Sequence, residues 1–328
     1  MTGPEVLRVE GLRTHFETRA GVVKAVDGVS FSLARGEIVG LVGESGSGKT
    51  VTGFSLLGLV DRPGRIVEGS IRLNGRELVG LPQRELRRLR GREIAMIFQD
   101  PIATLNPMLT IGQQMRMAIE AHERVSARAA AARSVDLLTR VGIPSAPARL
   151  NAYPHEFSGG MRQRVAIAIA LLHGPGVIVA DEPTTALDVS IQAQILTAMR
   201  DLAREMGTAM IWISHDLAVV SSLASRLLVM YAGRVVEDGP TAAVLRDPRH
   251  PYTRALIGSL PATARPGAPL VQIPGAPPSL MALPPGCAFA PRCPRAAAVC
   301  GTQPALERHG ARGWRCFRPV GVDAEAGV

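Results

Sequence analysis

The sequence predicts an α/β protein built on a mostly parallel sheet wrapped by helices. Short apolar segments of strand length alternate with longer segments of helical spacing up to about residue 240. This alternation is typical of strand–helix–strand units, in which both faces of the sheet are covered. Composition changes near residues 100 and 250 then indicate a helical insert and a Pro-rich C-terminal segment.

The composition is that of a folded protein and leaves the kind of partner open. Of the 328 residues, 46% are apolar and 4% aromatic, and the formal charge is +9. This charge suits a nucleic acid, an anionic membrane face, a nucleotide, or simply a solvated Arg-rich surface. We find no apolar run of the ~20 residues that a spanning helix needs and no signal-peptide core. We therefore expect a cytoplasmic protein whose cysteines are thiols or metal ligands rather than disulfides.

The first hundred residues predict several strands and one helix. Alternating runs over residues 6–34 indicate strands separated by Gly turns. EIVGLV (37–42) is apolar enough for a buried parallel strand, and VTGFSLLGLV (51–60) has helical spacing. SIRLNGREL predicts a hairpin with a tight turn at Asn74-Gly75, and EIAMIFQD predicts another strand.

The middle of the chain predicts an insert followed by a return to alternating elements. Residues 100–160 are Ala-, Arg- and Leu-rich with helical spacing, and SGGMRQRVAIAIALLHG (158–174) indicates an amphipathic helix. GVIVADEP (176–183) is a very apolar strand that ends in two carboxylates, and a helix, a strand and a strand–hairpin pair follow. Beyond about residue 250, the Pro and Gly content predicts an irregular appendage rather than a second core.

The stretch GESGSGKT (43–50) matches the phosphate-binding pattern G-x-x-x-x-G-K-S/T between a predicted strand and a predicted helix. Its glycines let backbone amides converge on phosphate oxygens, and the helix directs its positive end at the same anion. Lys49 and Lys24 are the only lysines of the chain, and a compact ammonium reaches phosphates where a planar guanidinium is bulkier. Thr50 can offer its hydroxyl to Mg²⁺. We expect the nucleotide to be bound by Gly43, Glu44, Ser45, Gly46, Ser47, Gly48, Lys49 and Thr50.

Two adjacent carboxylates, Asp181 and Glu182, end the apolar strand VIVAD. Ligands of doubly wound sheets gather at the carboxyl ends of the strands. In that position Asp181 would hold Mg²⁺, and Glu182 would orient and deprotonate the attacking water. Such a pair alone is most often a solvated turn, but the phosphate loop upstream favours catalysis.

Four further motifs follow along the chain: FQD (98–100), FSGGMRQR (157–164), ALD (186–188) and ISHD (213–216). Together with the phosphate loop, in this order, they resemble the ATP-binding-cassette (ABC) ATPases over about residues 6–245. FSGGM departs from the commoner LSGGQ of that family at both ends but keeps its Ser-Gly-Gly centre. The resemblance implies a P-loop NTPase cassette with a parallel sheet core, an antiparallel β subdomain and a helical subdomain at about 100–160. We expect the ATPase domain to span 1–245 and a C-terminal extension to span 246–328.

The resemblance also implies roles for residues that would otherwise be ordinary. Gln99 would contact Mg²⁺ and the attacking water, and His215 would bind the γ-phosphate of ATP. Asp188 would belong to the loop between the two halves of the ATPase. Phe16 would stack on adenine, with core packing as the alternative role for its ring.

In this family the helix start Ser158-Gly159-Gly160 completes the ATP site of an opposite subunit, so that two cassettes enclose two ATP molecules. The implied partners are a second cassette, identical or paralogous, two transmembrane permease subunits and an extracytoplasmic solute-binding protein. The protein would then lie at the cytoplasmic face of the cell membrane. A nucleic-acid-associated ABC ATPase is the rival interpretation. The short helical interval between Gln99 and Ser158 and the single cassette favour transport without direct nucleic-acid binding.

Three C-terminal stretches resemble the extension of the oligopeptide/dipeptide and nickel importer ATPases. The expected function is therefore the ATP-hydrolysing subunit of a bacterial importer for di- or oligopeptides. A nickel or other small-solute importer is the alternative. The stretches are RDPRHPYTRALIGSLP (246–261), GCAFAPRCPRAAAVC (286–300) and WRCFRP (314–319).

The only four cysteines, Cys287, Cys293, Cys300 and Cys316, are separated by five, six and fifteen residues in Pro-rich sequence. Four thiolates suit tetrahedral Zn²⁺ or an iron–sulfur cluster, and scattered thiols are a third possibility. The resemblance to the importer ATPases points to a 4Fe–4S cluster. Its expected role is to staple a segment too Pro-rich to bury a core of its own, with redox sensing as the alternative.

Overall fold

The computed structural model describes residues 3–100, 104–185, 187–260 and 272–321. The chain divides into two units, each assembled from separate stretches of sequence. The first unit contains Met1–Leu7, Leu33–Glu37 and Leu73–Trp212. The second unit contains Arg8–Ser32, Ile38–Arg72 and Ile213–Val328.

The described residues contain twelve strands and ten α-helices. None of these helices is both long enough and apolar enough to traverse a bilayer. The strands are β1 Glu5–Thr18, β2 Gly21–Ala34, β3 Ile38–Val42, β4 Gly64–Leu73, β5 Arg76–Glu77, β6 Ile94–Ile97, β7 Val177–Asp181, β8 Ala209–Ser214, β9 Arg226–Tyr231, β10 Arg234–Pro240, β11 Glu307–His309 and β12 Arg312–Trp314. The helices are α1 Lys49–Leu57, α2 Gln83–Leu89, α3 Ile111–Glu120, α4 Ala127–Arg140, α5 Ala146–Arg149, α6 Gly159–Leu171, α7 Val189–Met206, α8 Leu217–Leu223, α9 Thr241–Arg246 and α10 Pro251–Gly258.

In the second unit, one sheet has the strand order β11-β12-β10-β9-β3, and β2-β1-β4 are neighbours in another. Strand β3 pairs with β9 in parallel, with Val39 opposite Arg226, and is buried along its whole length. This burial follows from the apolar run that predicted the strand. Strands β9 and β10 are antiparallel and are joined by a tight turn in which Ala232 and Gly233 have positive φ.

In the first unit, β8, β7 and β6 are neighbours, and β6 pairs with β7 in parallel. Helices α3 and α4 form the predicted insert, and α3 begins at a capping box made by Thr110 and Gln113. The prediction of an amphipathic helix for α6 is wrong. Val165, Ala166, Ile167 and Ala168 are consecutive buried residues, because this helix is covered on several faces.

The segment after residue 246 contains more regular structure than its Pro-rich composition predicts. Helix α10 buries Tyr252 completely. Strand β12 pairs antiparallel with β10, which places Trp314 opposite Glu237, and β11 pairs antiparallel with β12. Strands of three residues are too short to show a periodic pattern, which is why composition alone does not reveal them.

Candidate functional site

The predicted phosphate loop joins β3 to α1, and its curvature depends on glycine. Gly43 and Gly48 have φ of 155° and 101°, in a region that disfavours side chains. A Cβ at Gly43 would lie 2.2 Å from the Met230 carbonyl oxygen, and one at Gly48 would lie 2.2 Å from the Ala25 carbonyl oxygen. Both positions therefore require glycine, because neighbouring backbone occupies the space of a side chain.

Lys49 is the first residue of α1, and its side chain lies along the loop that precedes it. The residue is 5% exposed, and its Nζ donates to the carbonyl oxygens of Gly43 at 2.8 Å and Glu44 at 2.9 Å. The Nζ also lies 3.5 Å from the Ser47 hydroxyl. A buried ammonium needs such acceptors. The loop thus holds its cation beside the helix end where a phosphate would bind.

Glu44 is held by two residues that the sequence analysis did not single out. Its backbone N–H donates to the Tyr252 hydroxyl at 2.9 Å. Its carboxylate accepts two hydrogen bonds from the Arg292 guanidinium, at 2.8 and 3.1 Å. The Glu44 amide, which the motif assigns to the phosphate, therefore already has a protein acceptor.

The two carboxylates after β7 differ in environment. Asp181 is the last residue of β7 and is 3% exposed, whereas Glu182 is half-buried. The Glu182 Oε2 accepts hydrogen bonds from Gln99 Nε2 at 3.3 Å and from Thr185 Oγ1 at 3.1 Å. The structure thus brings together Gln99 and Glu182, which the motif order assigns to the same water. Thr185 is a third member that sequence reasoning missed.

The backbone of Glu182 is strained. Its φ of 45° lies in the left-handed region, which costs a residue with a side chain roughly 1–2 kcal/mol. Such strain persists where surrounding structure imposes it and is concentrated at functional sites. The strained residue is the one whose carboxylate contacts Gln99 and Thr185.

The predicted signature residues form the start of α6. The Ser158 hydroxyl caps this helix by accepting the Met161 amide hydrogen at 3.3 Å, and Ser158 and Gly159 are exposed. A Cβ at Gly160 would lie 2.8 Å from Ile191 Cγ2, so packing against α7 explains that glycine. A Cβ at Gly159 would meet no described atom within 4 Å. Packing within the described part of the chain therefore does not explain why residue 159 is a glycine.

The other predicted site residues are His215, Asp188 and Phe16. His215 directly follows β8 and is exposed, and Asp188 is exposed immediately before α7. Ala186, the first residue of the ALD motif, lies outside the described residues. The half-exposed ring of Phe16 packs on Gly64, where a Cβ would lie 2.5 Å from a ring carbon. This contact accounts for Phe16 by packing, and its role toward adenine stays a prediction.

The four cysteines line one small cavity of about 10 Å³, together with aromatic residues such as Phe289. Burial raises the pKa of the Cys287 and Cys293 thiols and raises the pKa of Cys316 to about 11. The cavity holds about one water-sized atom. Within the described ranges, no three His, Cys, Asp or Glu side chains have the arrangement of a metal site. The predicted iron–sulfur cluster is therefore unsupported by this arrangement, although all four cysteines line the same cavity.

Two family models match the chain. The ABC transporter model matches residues 26–185, and the model of the oligopeptide/dipeptide transporter C-terminal region matches residues 236–300. The chain is 49% identical over 316 residues to the oligopeptide transport ATP-binding protein OppD of Salmonella typhimurium, covering 96% of this chain and 94% of that protein. OppD of Escherichia coli gives the same identity and coverage. The chain belongs to the ABC transporter family.

Solved structures of ABC cassettes confirm the predicted fold of this ABC protein. One is the ATP-binding cassette MJ0796, a dimer in a post-hydrolysis state bound to ADP and phosphate. It matches with a TM-score of 0.65 and 26% identity, over 72% of this chain and 98% of that chain. Another is cbiO1 of Clostridium perfringens, part of the transporter complex cbiONQ. It matches with a TM-score of 0.63 and 25% identity, over 74% of this chain and 91% of that chain.

As an ABC protein, the chain carries its motif residues in two groups. Asp181, Glu182, Gln99 and the start of α6 belong to the first unit, and the phosphate loop and His215 belong to the second. The roles of the individual residues remain predictions. Tyr252 and Arg292, which hold Glu44, had no signal in the sequence, because they lie 208 and 248 positions from it.

Proposed function

We propose that this ABC protein is the ATP-hydrolysing subunit of a bacterial importer for di- or oligopeptides. The cassette fold by itself does not select a transported substrate. The observation that carries the substrate class is the 49% identity to OppD over nearly the whole of both chains. The match to the oligopeptide/dipeptide C-terminal region supports the same class.

The phosphate loop binds the triphosphate of ATP in this proposal. The ammonium of Lys49, which donates to the loop carbonyls of Gly43 and Glu44, also donates to a phosphate oxygen, and the α1 amides add hydrogen bonds to the same anion. Phe16 contacts the adenine. The lysine is already beside the loop, so binding requires little rearrangement of the chain.

Hydrolysis depends on the carboxylates after β7. Glu182 accepts the proton of the attacking water. Gln99, which donates a hydrogen bond to the Glu182 carboxylate, orients that water. Thr50, Asp181 and Gln99 would hold Mg²⁺ through side-chain oxygens of the kind this ion prefers, and the bound ion would neutralise charge on the phosphate. His215 donates to the γ-phosphate.

A second cassette completes each ATP site. The exposed start of α6, Ser158-Gly159-Gly160, faces the γ-phosphate bound by the opposite subunit. The open space at Gly159 supports this role, because an approaching nucleotide would fill it. Closure of the two cassettes on ATP moves two permease subunits, and a solute-binding protein delivers the peptide. The pair then works peripherally, at the cytoplasmic face of the membrane.

Reconstitution of the complete transporter tests this function. The chain is co-expressed with peptide-importer permeases and a solute-binding protein from the same genome, and the complex is placed in liposomes. We expect ATP-dependent uptake of labelled di- and oligopeptides, and ATPase stimulation by the peptide-loaded binding protein. Uptake of nickel without peptide uptake would contradict the substrate class. Stimulation of the ATPase by DNA or RNA, with no permease association, would contradict transport altogether.

We further propose that Cys287, Cys293, Cys300 and Cys316 bind a 4Fe–4S cluster, with Zn²⁺ as the alternative. All four cysteines line one cavity, which supports a shared ligand. The group would staple a Pro-rich segment that buries few apolar residues.

Anaerobic purification of the full chain decides between these metals. We expect roughly four iron and four acid-labile sulfide per chain, with visible absorbance that disappears in Cys300→Ser. One equivalent of zinc without iron would replace the cluster by a zinc site. Neither metal in the wild-type chain would leave the cysteines as plain thiols and refute both proposals.

A further inference from the structure

The C-terminal segment holds the phosphate loop through Glu44. Three groups of this residue have partners: its amide donates to the Tyr252 hydroxyl, its carboxylate accepts from Arg292, and its carbonyl accepts from Lys49. Tyr252 lies in α10, and Arg292 lies between two of the cysteines. A residue at the entry of the loop is thus fixed by side chains from far along the chain.

The Arg292 guanidinium is buried and points at the Glu44 carboxylate. Its side chain is 5% exposed, and both terminal nitrogens reach the Glu44 carboxylate, in the two-pronged geometry that is specific to arginine. The guanidinium also donates to the Tyr231 hydroxyl at 3.2 Å and to the carbonyl oxygens of Pro274 at 2.8 Å and Ile273 at 3.4 Å. Removing the Glu44 carboxylate would leave this buried cation without the counter-ion that contacts it. The energetic contributions of Glu44 and Arg292 therefore depend strongly on each other.

An aromatic cluster of Tyr231, Tyr252 and Phe289 fixes the two partners of Glu44. The ring centroids of Tyr231 and Tyr252 lie 4.5 Å apart, and that of Phe289 lies 5.3 and 5.5 Å from them. The Arg292 guanidinium carbon lies 5.8 Å from the Tyr231 centroid and 5.9 Å from that of Phe289. The hydroxyl of Tyr252 and the guanidinium of Arg292 are therefore anchored on one rigid group of rings.

Lys49 connects this arrangement to the nucleotide. Its ammonium rests on the Glu44 carbonyl oxygen, so the position of the Glu44 peptide sets where the ammonium lies. We infer that Arg292 and Tyr252 are positioning residues for the triphosphate: they fix Glu44 and thereby preorganise the phosphate loop. The inference rests on the proposed ATP binding by that loop. A fixed loop loses less conformational freedom on binding, so nucleotide affinity depends on these contacts.

MgADP titrations of the full-length chain test the inference, because MgADP occupies the loop without hydrolysis. The variants are Glu44→Gln, Arg292→Gln, the double variant and Tyr252→Phe. The control is Arg254→Gln, an exposed arginine on the helix of Tyr252. We expect each single variant at Glu44 or Arg292 to weaken MgADP binding roughly five- to tenfold. The double variant should bind no more weakly than the worse single one, while Arg254→Gln binds like wild type.

Transporter kinetics separate positioning from general stability. In the reconstituted complex, Glu44→Gln and Tyr252→Phe should raise the KM for ATP by a larger factor than they change kcat, and Arg254→Gln should leave both unchanged. Unchanged MgADP affinity in these variants would overturn the inference, as would losses that multiply in the double variant. If Arg292→Gln does not fold, Glu44→Gln and Tyr252→Phe still decide. Failure of wild-type MgADP binding would instead refute the proposed function beneath it.

Discussion

Replacing Glu182 with Gln is expected to leave ATP bound and to slow its hydrolysis by about 10²–10⁴-fold, the usual contribution of a general base. Glutamine has the size of glutamate, and its amide oxygen can still accept from Gln99 and Thr185, so the turn after β7 is retained. It cannot take a proton from water. The measurement is single-turnover hydrolysis of radiolabelled ATP beside an ATP-binding titration.

Glu120→Gln is the matched control for this substitution. Glu120 ends α3, is exposed and pairs with Arg116 one turn earlier, a contact worth little in water. Its ATPase rate should equal that of wild type. Turnover by Glu182→Gln within tenfold of wild type would show that another group removes the proton.

Replacing Lys49 with Ala is expected to weaken ATP binding roughly 10- to 150-fold. This range follows from about 1.5–3 kcal/mol for a charge-assisted hydrogen bond and 1.4 kcal/mol for each factor of ten. The variant also leaves the carbonyl oxygens of Gly43 and Glu44 without the donor that now contacts them. Equilibrium binding of a fluorescent ATP analogue, competed by ATP, measures the change.

The chain supplies its own control, because it has one other lysine. Lys24 is exposed on β2, and Lys24→Ala removes the same charge without touching the loop. Its affinity for ATP should be that of wild type. Equal binding by Lys49→Ala and Lys24→Ala would refute the role of the phosphate loop, whatever happens to turnover.

The elements around the phosphate loop could be predicted because their causes are local. The apolar run of β3, the glycines of the loop and the helical spacing of α1 each occupy a few neighbouring residues. The turn at Asn74-Gly75 was predicted for the same reason, and both residues have positive φ. Amphipathicity of α6 was predicted wrongly, because burial on several faces depends on packing partners that a single segment does not contain.

The candidate site could be predicted only in part. The association of Gln99 with Glu182, 83 positions apart, was predicted from motif order rather than from physics. No motif predicted the pairing of Arg292 with Glu44. The chain has 37 Lys and Arg residues, and the sequence does not indicate which carboxylate each of them contacts. Thr185 was missed because its contact with the Glu182 carboxylate depends on the conformation of the turn after β7, which the sequence pattern does not specify.

The hairpin of β11 and β12 has a further consequence for solubility. Without it, β10 would present the unpaired backbone of a buried strand to any other chain with a free edge. With it, the sheet terminates at β11, three residues long, whose Glu307, Arg308 and His309 are all exposed. Short edge strands with charged side chains disfavour the addition of a strand from another molecule. The β11–β12 hairpin therefore disfavours aggregation through this edge of the sheet.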